Sequence, residues 1–165
     1  RLLLLMSCVF SAYTLANKVE NTSNILLANE HFQIENTGLI PYYRHKAEKA
    51  LAINAGNVNY RNQFAYARYQ VKKSDKVFTQ LQLTTLTEID GESRYQIILN
   101  DKVIGEYQNP ETEKDYQEST FVIANITLKE GDVIKVASMA VTNGKIPEND
   151  ETAFARGRWR SLTLK

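Results

Sequence analysis

Aromatic and cationic side chains recur close together in this chain. Tyr42 and Tyr43 are adjacent, Tyr60 precedes Arg61, and Arg156, Arg158, Trp159 and Arg160 fall within residues 156–160. A flat aromatic at a loop edge suits the apolar C–H face of a sugar ring. A guanidinium suits a carboxylate or sulfate. Each feature also has a plainer reading. A lone tryptophan in a terminal strand more often packs than presents a platform, and Arg156 and Arg158 could simply pair with Glu148, Asp150 and Glu151 nearby.

Two polar stretches add to the candidates. In residues 84–94, Glu88, Asp90 and Glu92 alternate around Gly91. That spacing suits a cation loop but lacks the length and ligand count of an EF-hand. Paired carboxylates can equally accept two hydroxyls of one sugar ring, or the stretch is a solvated hairpin end. Residues 141–151 carry Asn143, Lys145 and Asn149. Their amides offer both donor and acceptor, although Asn, Gly and Pro make turns without any ligand. The only histidines are His31 and His45. Tyr43, His45 and Arg61 could supply the proton-abstracting trio of a polysaccharide lyase. No pair of carboxylates stands out as a glycosidase couple.

The ends and composition restrict the setting. Arg1 and an apolar run to Ala16 read as a secretory signal, too short for a confident membrane span, with a polar leader over 17–24. Leu5-Met6-Ser7-Cys8 offers a rival lipobox in which Cys8 would be acylated, although the chain stays apolar after it. The start at Arg1 leads us to expect a piece of a longer chain. Removing residues 1–16 leaves 19 Lys+Arg against 19 Asp+Glu and takes away the single cysteine. No disulfide or thiol nucleophile is then expected, which suits bacterial export to the periplasm, cell surface or medium. The even charge gives no case for nucleic acid.

The remaining length, 25–165, fits one domain. A first strand is expected from Ile25 through Ile34, then a long irregular loop over 36–62 with a helical turn at 45–50. From Phe64 the period is two: Ala65, Ala67, Tyr69 and Val71, then Leu81, Leu83 and Thr85, then Tyr95, Ile97 and Leu99. Asn100-Asp101 predicts a hairpin turn, and Lys129-Glu130-Gly131-Asp132 a second turn with positive φ at Gly131. Short alternating strands with no long amphipathic helix predict an all-β antiparallel sandwich.

Four segments in order resemble the carbohydrate-binding modules with a galactose-binding-like jelly roll, the broad group around families six and thirty-five. Residues 27–32 (LANEHF) resemble their opening strand and residues 64–71 (FAYARYQV) their second core strand. Residues 128–134 (LKEGDVI) resemble their Leu-x-x-Gly turn, and 161–164 (SLTL) their closing strand. The resemblance implies a jelly roll attached to a polysaccharide-degrading enzyme or surface protein, with ligand-binding loops at one end. It also implies a structural calcium held by acidic residues of the first and last strands. Here Glu30 keeps one carboxylate, Ala28 replaces another, and Arg160 stands where those relatives have aspartate. By period two, Arg160 shares a face with Leu162 and Leu164 and is half-buried, so a Glu30–Arg160 pair is expected in place of the metal. The alternative puts Arg160 on a solvated edge.

The sequence therefore predicts a monomeric, exported, noncatalytic domain that binds a polysaccharide or oligosaccharide, an acidic one included, without a cofactor. The residues expected to touch ligand are Tyr60, Arg61, Glu88, Asp90, Asn143, Lys145, Asn149, Arg156 and Trp159. No membrane partner is expected after signal removal unless Cys8 is lipidated. A small jelly-roll lyase or hydrolase is the alternative, and a protein-binding adhesion domain the third reading.

Overall fold

The computed structural model describes residues 24–35, 40–74 and 77–165. The expected signal (1–16) and nearly all of the leader lie outside them. Alternating sequence becomes alternating burial wherever a strand has one face on the core. In β5 (Phe64–Gln70), Ala65, Ala67 and Tyr69 point inward, and in β7 (Arg94–Leu99), Tyr95 and Ile97 do. These strands belong to an antiparallel sheet of β2 (Gln33–Ile34), β5, β10 (Val133–Met139), β7 and β8 (Lys102–Gln108), in that order. The facing sheet runs β3 (Tyr42–His45), β4 (Ala50–Ile53), β13 (Trp159–Leu164), β6 (Gln80–Leu86) and β9 (Glu118–Ala124). The short β1 (Asn24–Leu27) also pairs with β13, and β11 (Pro147–Glu148) pairs with β12 (Glu151–Thr152) in a separate ribbon. The expected β-sandwich is the fold observed.

Both predicted turns are present: Asn100 and Asp101 take positive φ between β7 and β8, and Gly131 has φ +89° before β10. The N-terminal third corrects the sequence reading in three places. The expected strand Ile25–Ile34 is broken by one helical turn, α1 (Ala28–His31), in which His31 Nδ1 accepts the Leu27 N–H at 3.0 Å. The expected loop 36–62 contains the β3–β4 hairpin and a 3-10 turn, Val58–Tyr60. The expected helical turn at 45–50 is that hairpin's bend. The apolar run 50–53 had the residues of a buried strand but was too short to show a period.

The last strand carries a β-bulge. Trp159 faces Thr85 and Ser161 faces Thr84, so the register shifts at Arg160. A bulge inserts one residue and re-aims those around it. Trp159, Leu162 and Leu164 therefore all enter the core while Arg160 turns outward, which corrects the face assigned to it by period two. Its partners are Glu48 (2.7 Å) and Glu118 (2.7 Å), not Glu30. Those two carboxylates sit on the hairpin bend and on β9, the elements flanking its outer face. Trp159 is fully buried, edge-on to Phe32 at 4.8 Å and near Tyr42 at 6.3 Å. It is core packing and cannot be a ligand platform.

Candidate functional site

Strands β4, β6, β8 and β10 end, and β5, β7, β9 and β13 begin, at the same end of the sandwich. The loops 54–63, 87–93, 109–117 and 140–158 must therefore meet there. Backbone bonds knit them together. Asn143 N–H donates to Asp90 O (3.0 Å), Tyr116 N–H to Thr87 O (2.7 Å) and Ala155 N–H to Val141 O (2.9 Å). Gly91 permits this closeness, because a Cβ there would lie 2.5 Å from Val141 O.

The segment 155–159 crosses this end as a strap, with alternate residues facing in and out. Ala155, Gly157 and Trp159 face inward, leaving Arg156 and Arg158 on the outer side. A buried polar network fixes its height. Tyr42 Oη donates to Ser138 Oγ (2.8 Å), Ser138 Oγ to Gly157 O (2.8 Å), and Gly157 N–H to Ser93 Oγ (3.0 Å). Tyr95 Oη donates to Arg158 O at 2.9 Å, and Asn109 Nδ2 reaches both Tyr95 Oη (3.3 Å) and Leu86 O (2.8 Å). Burying hydroxyls and amides costs little only when each has a partner, and here they form a connected set. Burial also raises the Tyr42 and Tyr95 phenols well above the ordinary value, so both stay protonated donors.

On the outer side, Glu88 pairs with Arg158, both buried, and its Oε1 accepts the Arg156 N–H at 2.8 Å. The Arg158 guanidinium lies 5.0 Å from the centre of the Tyr116 ring, a cation–π contact. Tyr43 and His45 stand beside them on β3, and Ala52 and Ala50 are the cross-strand partners of these two residues on β4. Tyr43, His45, Asn54 and Arg156 line a cleft of about 450 Å³. The His45 ring is 6.1 Å from Tyr43 and 6.3 Å from Tyr116. Interaction with the Tyr43 phenol raises the pKa of Arg156. Burial lowers the pKa of His45, and the Arg158 charge lowers it further, so its ring is neutral at pH 7. Two buried nitrogens in this group have no partner, Arg158 Nε and His45 Nδ1.

Of the nine expected ligand residues, only Arg156 lines this cleft. Glu88 is 4% exposed and spent on Arg158 and the strap, so it positions Arg156 and does not touch ligand. Trp159 lies beneath, in the core. Arg61 donates to Ala55 O (2.8 Å), pairs with Glu151 and covers the Phe154 ring at 4.5 Å, while Tyr60 packs on the core cluster. Asn143 spends its amide on Ile89 O (2.9 Å) and Lys145 N–H (3.0 Å). Lys145 pairs with Glu111, and Asn149 supplies a positive-φ turn. Asp90 remains half-exposed, its carboxyl raised by burial and then by Asp115 and Glu148. Thus the two predicted loops do meet, but they frame the cleft more than they line it.

Sequence reasoning missed Asn54 and Tyr116. Tyr116 lies in a charged loop with φ +63°, and nothing in its neighbours marks it. Among the described residues, no three His, Cys, Asp or Glu side chains converge as a metal site.

No family model matches the chain. An uncharacterized protein of Formosa agariphila is 25% identical over 154 residues, 92% of this chain and 33% of that protein. The chain thus spans about a third of the length of that curated relative. Among solved structures, the low-affinity xylan-binding module CBM86 of Roseburia intestinalis superposes with TM-score 0.50 at 11% identity, over 87% of this chain and 95% of that one. The insecticidal crystal protein CRY2AA superposes with TM-score 0.54 at 15% identity, over 88% of this chain and 21% of that one. At such identities the likeness establishes a shared jelly-roll fold.

Proposed function

We propose that this domain binds a polysaccharide without cleaving it and holds a larger exported protein on that polymer. The observation that carries the reading is the cleft of Tyr43, His45, Asn54 and Arg156 beside Tyr116. It combines aromatic faces, an amide with donor and acceptor, and a cation without a carboxylate partner, the set that ring stacking and hydroxyl recognition require. The fold shared with a xylan-binding module supports the same reading, as does a curated relative three times longer than the matched region. The unpaired Arg156 favours an acidic polymer.

Tyr43 and His45 side by side with Arg156 are also the residue types of a β-eliminating lyase. Affinity electrophoresis through a panel of neutral and acidic polysaccharides tests both readings, with unsaturated-product absorbance followed in parallel. Retardation without absorbance supports the binding module. Rising absorbance would make it an enzyme, and no retardation by any polymer would sink the proposal.

A further inference from the structure

We propose that the free edge of β9 pairs antiparallel with β9 of a second copy of this chain, joining two sandwiches through one continuous sheet. β9 is the last strand of its sheet, and among the described residues nothing pairs with its far side. Gln117 O accepts the Thr87 N–H at 2.9 Å, and β9 then runs in unbroken register with β6 from Glu118 to Ala124. Bonding direction alternates along an antiparallel strand. Ser119, Phe121 and Ile123 therefore bond β6, while Thr120, Val122 and Ala124 aim their N–H and C=O groups outward. The monomer expected from the sequence took no account of this edge, which only the strand order reveals.

Exposed edges invite pairing, and the other edges carry features that prevent it. β1 and β3 span four residues each and β2 spans two. β8 is as long as β9, but it holds Lys102 and Glu106, and its pairing shifts register opposite Ile97 and Ile98. β9 has seven residues without proline, lysine, arginine or a bulge. Its one charge, Glu118, is already matched by Arg160 at 2.7 Å.

The flank of the sandwich beside this edge is apolar. Phe121 stacks on Tyr107 with ring centres 4.9 Å apart. Phe121 and Ile123 also crowd Gly105 of β8, where an added Cβ would lie 2.9 Å and 2.6 Å from them. Ile104, Tyr107, Phe121 and Ile123 are only partly buried, and Val122 is 47% exposed on the outer face. A second copy fits this edge because β9 complements itself. With a two-fold axis at Phe121, Thr120 pairs with Val122 of the second copy and Glu118 with its Ala124, so no like charges meet. Paired β-branched side chains favour such a cross-strand contact, and a two-fold contact closes at two copies. Antiparallel pairing turns the two loop ends in opposite directions.

Size exclusion with light scattering measures the mass of the full chain over roughly a hundredfold range of concentration. The mass is expected to rise from one copy toward two. Val122→Pro removes an N–H that points away from β6 and blocks the edge, so this variant is expected to stay monomeric with its urea midpoint kept. Val122→Lys leaves the backbone intact and sets like charges near the axis. It is expected to stay monomeric too, and it decides the matter where proline lowers the urea midpoint. Val103→Lys, on the neighbouring edge, is expected to dimerise as the unaltered chain does. Dimerisation that survives both β9 variants overturns the inference, as does its loss in Val103→Lys alone or a mass above two copies. A mass of one copy at every concentration also overturns it and leaves the edge to a strand of a different protein.

Discussion

Glu88 and Arg158 form an ion pair sealed from water, their side chains 2% and 4% exposed, and the pair ties loop 87–93 to the strap below the cleft. Taking two charges out of water is costly, and the mutual attraction offsets that cost only while both remain. Removing one partner strands the other. Glu88→Leu or Arg158→Met alone is expected to cost about 3–5 kcal/mol in urea unfolding. The double variant is expected to be less destabilised than the sum, and near-additive losses would show that the pair is not coupled.

Gly157 has φ +60°, and a Cβ there would sit 2.6 Å from Ser138 Oγ. Gly157→Ala therefore combines backbone strain with a clash inside the network that fixes the strap. Gly144 has φ +74° but open space around it. Strain alone is worth about 1–2 kcal/mol, so Gly157→Ala should lower the urea midpoint clearly more than Gly144→Ala. Equal losses would mean the Ser138 contact yields freely.

His45 makes stability depend on pH. Its folded pKa is lowered by burial and by Arg158 and Arg156, with Glu48 opposing. An unfolded histidine takes its proton near the model value of 6.5, so below that pH the unfolded chain binds more protons and the fold loses stability. Above it, His45 contributes no slope. Asp90, with its raised carboxyl pKa, acts in the opposite sense nearer acid, so the comparison must isolate His45. Urea melts at pH 7.5 and 5.5 should show a smaller pH loss in His45→Gln than in the unaltered chain. An unchanged loss would place the titration elsewhere.

Trp159 is the single tryptophan and is fully buried. Its emission should be blue-shifted, resistant to acrylamide, and unmoved by ligand binding at the cleft. Trp159→Ala should cost about 3–5 kcal/mol, as for other buried aromatics. Direct quenching by a bound oligosaccharide would return Trp159 to the surface role first considered for it.

The strands from Phe64 onward were legible because Ala65, Ala67, Tyr69, Ile97 and Leu83 repeat at the period a half-buried sheet imposes, whereas β3 and β4 were hidden in the expected loop. That ligand-binding loops gather at one end was an expectation carried by the family resemblance, and loops 87–93 and 140–158 do meet there. Individual roles were less legible. Arg160 was assigned the wrong face because the bulge beside it leaves no mark in the sequence. Glu88 looked like a surface carboxylate because burial depends on Arg158, seventy positions later. Ser93, Asn109 and Ser138 look like ordinary strand and loop polar residues, yet together they set the height of the strap. Asn54 and Tyr116 join the cleft only through chain folding.

A comparable cleft of about 410 Å³ on the outer face of the other sheet, lined by Phe64, Arg94, Gln96, Glu106 and Met139, is the obvious competitor for ligand. The most direct test of the account is therefore affinity electrophoresis of the unaltered chain, Arg156→Gln and Arg94→Ala, through gels containing the polysaccharide that retards the unaltered chain most. The account predicts that Arg94→Ala is retarded as the unaltered chain is, while Arg156→Gln loses at least about tenfold in affinity with its urea midpoint preserved. Full retardation of Arg156→Gln, with loss in Arg94→Ala, would contradict it and move the site to the other sheet.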